Sequence, residues 1–152
     1  MTSQHDIVSR VYEYAYGIDT RDWALYRSIF CDEIFMDFSS YSGAPGAQMK
    51  ADDWVAGIKP LFSGLDATQH TMTNPLVDIN GDKARCRMYM QAEHIFNDAD
   101  GDAFYTIGGY YDNQLICTDK GWLISEVKLT VWWRRGNASI MVQARNKGSS
   151  AA

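Results

Sequence analysis

Beyond Gly64 the chain takes up a two-residue rhythm and keeps it as far as Arg135. Residues 67–79, 83–97, 103–117 and 121–135 form four long candidate strands, joined by the turn-type sequences NGD, DADGD and TDKG. Successive side chains in a strand point to opposite faces, and strands joined by tight turns pair as an antiparallel meander. Such a sheet has one apolar face that must be covered. The GG pair at 108–109, in mid-strand, suits a bulge or a sharp bend where the sheet curls.

The cover comes from the first half of the chain. Ile7, Val11, Tyr14, Ala15 and Ile18 recur at spacings of three and four, the stripe of an amphipathic helix, and Ser3 with Asp6 offers an N-terminal cap. DTRDW starts a second short helix that can turn Trp23, Tyr26, Ile29 and Phe30 inward. EIFMDF (33–38) reads as a strand, SSYSGAPGAQ (39–48) as a loop, and residues 51–62 as a third helix with Trp54, Ile58, Leu61 and Phe62 on one side. Three helices followed by a meander imply an α+β domain. At 152 residues there is material for one core. The expected domain is 1–140, with 141–152 (ending NKGSSAA) as a mobile tail.

Charge and cysteine usage narrow the function classes. The net charge is −5 and the basic residues are scattered apart from Arg134 and Arg135, so there is no footprint for nucleic acid. Cys31, Cys86 and Cys117 show no CxxC spacing and read as free thiols in a reducing compartment. MTSQHDIVSR lacks a basic region followed by an apolar run, and no segment approaches the ~18 apolar residues of a membrane helix, so the expectation is a cytoplasmic protein without a membrane partner.

The histidines give the strands a chemical meaning. Residues 84–96 split into an apolar face, Ala84, Cys86, Met88, Met90, Ala92, His94 and Phe96, and a polar one, with His94 on the apolar side. In the strand before it, Thr68, His70, Met72, Asn74 and Leu76 share a face by the same period. Burying an unpartnered imidazole costs about 1–3 kcal/mol, so each inward histidine implies a partner or a wet cavity. Either histidine alone could be a satisfied core residue, whereas the pair favours a site. A metal site would need a third ligand, and neither His5 nor the carboxylates have the spacing for one. Asp19 follows the first helix, where a carboxylate opposes the macrodipole; its alternative role is to cap the next helix. Tyr14 lies on the apolar stripe. The aromatic share of 13% is enough to wall a pocket, and Tyr41, Phe38, Trp54, Met72, Met90 and Tyr110 are the candidate wall residues.

Taken in order, YAYGIDTRDWALYRSIFCDEIFMDFSS, ATQHTMTNPLVDINGDKARCRMYMQAEH, GGYYDNQL and GWLISEVKLTVWWRRGN resemble the nuclear transport factor 2-like superfamily. Within it they resemble the SnoaL-like group, with scytalone dehydratase, bile-acid 7α-dehydratase and hexachlorocyclohexane dehydrochlorinase. The resemblance implies a cone-shaped α+β barrel, a strongly bent sheet wrapped round a deep pocket closed by helices. In the superfamily's lyases an Asp at the end of the first helix pairs with a His on the strand after the third; Asp19 and His70 match these positions. His94 matches the second His of scytalone dehydratase, and Tyr14 a Tyr of the bile-acid enzyme. The dehydrochlorinase carries a Lys in place of that Tyr and an Arg on its last strand, where this chain has only Lys128 nearby, so halide elimination is disfavoured. The superfamily's open sheet face also commonly packs on a second copy, so VWW (131–133) is either ordinary sheet packing with a charged end or a dimer or trimer contact.

If Asp19 accepts a hydrogen bond from one nitrogen of His70, the other nitrogen is free to act as a base, which contributes roughly 10²–10⁴-fold and needs a substrate already activated by a carbonyl or extended π system. His94, Tyr14 and Tyr41 could donate to a leaving hydroxyl or oxyanion. The expectation is therefore a lyase or dehydratase, without cofactor, acting on a small hydrophobic, aromatic or polycyclic substrate. An isomerase or cyclase with the same base, or a non-catalytic binding or interaction domain, is the alternative.

Overall fold

The computed structural model describes residues 3–151, in the order α1 (Gln4–Asp19), α2 (Trp23–Ser28), β1 (Phe30–Asp37), α3 (Ser39–Ser42), β2 (Ala47–Lys50), α4 (Ala51–Gly64), β3 (Ala67–Asn80), β4 (Lys83–Ile95), β5 (Phe104–Thr118), β6 (Gly121–Gly136) and α5 (Ile140–Ser150). The six strands form one curved, unclosed mixed sheet in the order β2-β1-β6-β5-β4-β3. The expected meander is β3 to β6. β1 joins it in parallel beside β6, a long-range pairing that no local pattern announces.

Local chemistry fixes the ends of α1. The Ser3 side chain and the Asp6 side chain close a reciprocal capping box, a feature worth about 1 kcal/mol. At the other end the Thr20 hydroxyl and amide both donate to the Tyr16 carbonyl, at 2.7 and 3.0 Å, and Arg21 turns into the left-handed region at φ 59°. Ile7, Val11, Tyr14 and Ile18 are buried as the stripe requires. β4 also alternates as expected, with Ala84, Cys86, Met88, Met90, Ala92 and His94 all buried.

Two of the sheet's bulges bear on its inner face. Thr73 pairs with Tyr89 but Leu76 with Arg87, so β3 gains one residue there, at Asn74 (φ 55°) and Pro75. An extra residue reverses the alternation. His70 and Met72 keep the inner face, but Leu76 is exposed and Val77 takes its place opposite Cys86; the expectation that Asn74 and Leu76 share the His70 face is corrected. The second bulge is at the glycine pair: Gly108 pairs with Trp133 and Gly109 with Val131, so β6 carries the extra residue, Trp132. A Cβ on Gly109 would lie 1.9 Å from the Thr130 carbonyl oxygen, and one on Gly108 would lie 2.0 Å from the Trp133 ring. The close approach therefore requires glycine. Outside this bend Trp132 stacks near Tyr89 and Tyr110, with ring centroids 5.4 and 5.2 Å apart, and is 57% exposed.

Two segments differ from the sequence reading. Residues 39–48 are not wholly loop but hold α3 and the first half of β2, and Phe38 precedes α3 rather than ending a strand. The segment expected to be a tail is α5. Its residues Ile140, Ala144 and Gly148, four apart, are buried against α4. A Cβ on Gly64 would stand 1.7 Å from the Ala144 carbonyl oxygen and one on Gly148 1.8 Å from that of Pro60, so the two backbones touch where only small residues fit. No helix among the described residues is long and apolar enough to cross a membrane.

Candidate active site

A cavity of about 340 Å³ opens among α1, α3, α4, α5 and the inner faces of β3 to β6, within the usual range for small-molecule sites of roughly 300–1,000 Å³. Its wall is mostly apolar. The polar groups on it are Tyr14, Tyr41, Ser42, Trp54, His70, His94, Tyr111 and Arg145.

Asp19 is the last residue of α1 and reaches across to β3. Its Oδ1 lies 2.7 Å from His70 Nδ1 and accepts from the Thr68 hydroxyl at 2.9 Å, while Oδ2 accepts the His70 amide at 2.6 Å. The alternative capping role falls to Asp22, whose side chain accepts the Leu25 amide. Burial pushes the Asp19 carboxyl up, but the hydrogen bonds from the His70 ring, its charge, its amide and the Thr68 hydroxyl together hold it below the usual range. A carboxylate only accepts, so His70 must carry its proton on Nδ1 and offer Nε2 to the cavity it lines. Arg21 Nη1 donates to the Ile18 carbonyl at 2.7 Å and to Thr68 Oγ1 at 2.8 Å. That donation directs the Thr68 hydroxyl proton toward Asp19, so Arg21 and Thr68 form a second layer behind the pair.

His94 faces His70 at 6.0 Å between ring centroids, with Phe62 beside both at 6.1 and 6.2 Å. Its Nδ1 lies 2.9 Å from the Tyr105 carbonyl, an acceptor, so this nitrogen too holds the proton and Nε2 is left with a lone pair. Burial, with the neighbouring His70, lowers its pKa to about 4. His94 is therefore neutral near pH 7 with an acceptor, not a donor, at Nε2, which corrects the expectation that it donates to a leaving group.

Tyr14 packs against Tyr26 and Tyr111 with ring centroids 5.1 and 5.3 Å away, and the three hydroxyls interact as a group that Trp54 Nε1 joins through Tyr26 at 3.0 Å. Burial raises all three phenols, so they stay protonated. Of the expected wall residues, Phe38, Tyr41, Trp54 and Met90 line the cavity. Met72 is buried beneath the wall without reaching the cavity, and Tyr110 points to the outer face against Trp132, leaving its neighbour Tyr111 inside. Lys128 is solvent-facing, 3.6 Å from Asp37, and supplies no charge to the cavity. Among the described residues no three His, Cys, Asp or Glu side chains cluster as metal ligands.

The family model described as a SnoaL-like domain matches residues 1–128. The chain belongs to the SnoaL-like domain family. Solved structures similar to this SnoaL-like domain include the Kfla4162 protein of Kribbella flavida, at 29% identity and TM-score 0.86 over 91% of this chain and 96% of that one. A scytalone dehydratase-like protein of Novosphingobium aromaticivorans is similar at 16% identity and TM-score 0.76, over 88% and 86%. A type 2 hexachlorocyclohexane dehydrochlorinase (LinA) is similar at 16% identity and TM-score 0.68, over 90% and 94%. These likenesses place the SnoaL-like chain in the nuclear transport factor 2-like fold. No curated protein sequence matches it significantly.

Proposed function

We propose that this SnoaL-like protein is a lyase of the dehydratase type that needs no cofactor for its chemistry and acts on a small hydrophobic, aromatic or polycyclic substrate. The observation that carries the reading is the Asp19–His70 pair, 2.7 Å apart at the wall of a mostly apolar cavity. His70 Nε2 takes a proton from the carbon next to a substrate carbonyl, and the C–H electrons pass to the carbonyl oxygen as an enolate. The enolate then collapses to form the new carbon–carbon double bond as the C–O bond to the β-hydroxyl breaks, and the same Nε2 returns its proton to the departing oxygen, giving water. Asp19 holds the ring and stabilises the transient imidazolium. Tyr14 or Tyr41 supplies the donor for the carbonyl oxygen as it gains charge. The lone pair of His94 accepts the hydrogen of a substrate hydroxyl.

The test is dehydration of 3-hydroxy-1-tetralone, an activated alcohol that loses water to give 1-naphthol, followed by absorbance. Wild type turns it over and His70→Ala loses roughly 10²–10⁴-fold. No turnover by wild type, or equal turnover by the variant, contradicts the reading.

A further inference from the structure

Among the described residues lining the cavity, Arg145 is the one permanently charged side chain. It stands on α5 and shares the cavity wall with Tyr41 and Ser42 of α3. Its guanidinium has five N–H donors. Within the protein, Nη1 donates to the Gly57 carbonyl at 2.9 Å, and among the described residues no carboxylate lies within ion-pair distance of it. By contrast Arg10, Arg27, Arg85 and Lys147 each have a carboxylate partner. The tight α4–α5 crossing at Gly64 and Gly148 fixes the helix that carries Arg145 over the cavity, so the charge is not on a loose end. Tyr41 reports the field there: burial pushes its phenol up, while Arg134 and Arg145 pull it back.

We propose that the ligand of this cavity carries a carboxylate, held by Arg145 with the Tyr41 phenol as second donor, while its ring lies along Phe38, Trp54 and Met141 toward His70. A planar guanidinium suits a carboxylate because two parallel N–H bonds can be made at once. The inference rests on the cavity being the substrate site proposed above, but not on the chemistry performed there.

The experiment compares 2-naphthoate with 2-naphthamide, which have the same shape but differ in charge, by calorimetric titration of wild type, Arg145→Gln and His70→Ala. Wild type binds the carboxylate about five- to tenfold more tightly than the amide, the range for one partly solvated charge-assisted contact. Arg145→Gln removes that preference and leaves the amide affinity unchanged, whereas His70→Ala keeps it. Since Arg145 is exposed, unchanged thermal unfolding of the variant confirms that the fold is intact. Equal binding of the two ligands by wild type, no binding of either, or a preference that survives Arg145→Gln overturns the proposal. A carboxylate preference without any dehydration would leave it standing and sink the lyase reading instead.

Discussion

Asp19 receives three hydrogen bonds, of which two come from His70 itself. The third, from Thr68, fixes the carboxylate without touching substrate. Thr68→Val keeps the shape and removes about 1 kcal/mol of hydrogen bonding, so turnover falls about five- to tenfold with little change in KM, measured on the tetralone substrate. His94 governs a different observable. Its native pKa of about 4 lies below the ordinary 6.5, so between these values the unfolded chain binds a proton that the native state refuses. Stability therefore declines as pH drops from about 7 to about 4, by about 3 kcal/mol from this group, and levels below. Asp19, held below 3.8, loses its contribution only at lower pH still. Denaturant titrations across this range will show a shallower slope in His94→Asn. At this scale the pair was legible because period two alone sets His70 and His94 on inward faces. Arg21 was not, since its role depends on a left-handed turn, and Tyr110 was mistaken for Tyr111 because adjacent tyrosines differ only in the strand's phase.

α5 is the element the sequence reading lost. A polar, small-residue end resembles a tail, yet Ile140, Ala144 and Gly148 recur every fourth residue, a stripe of small side chains suited to a close helix crossing. Gly64→Ala forces a Cβ into the Ala144 carbonyl and loosens α5, at a cost of about 1–3 kcal/mol in chemical denaturation. Because α5 carries Met141 and Arg145, the same substitution weakens ligand binding while leaving the His70 pairing in place. The bulges show how far periodicity can be carried. In β4 no residue is inserted and the alternation holds throughout. In β3 one extra residue at Asn74 reverses every assignment after it, which counting by two cannot detect.

For the whole molecule, the fold class follows from a meander that needs cover and helices that have an apolar stripe. The parallel seating of β1 against β6 depends on packing between segments far apart in the chain and had no local sign. Curvature turns the inner faces of β3 to β6 toward α1, α4 and α5, so the two histidines, Tyr14, Tyr111 and Arg145 surround one cavity. Asp19 holds the His70 ring with Nδ1–H toward its carboxylate and Nε2 toward that cavity. Nitrogen-15 NMR of histidine-labelled protein at neutral pH tests it directly, and with 3 histidines in the chain the signals can be assigned by substitution. The expected result is a His70 proton on Nδ1, coupled to Asp19 and altered in Asp19→Asn. An Nδ1 without the proton, or a spectrum indifferent to Asp19→Asn, would overturn this pairing.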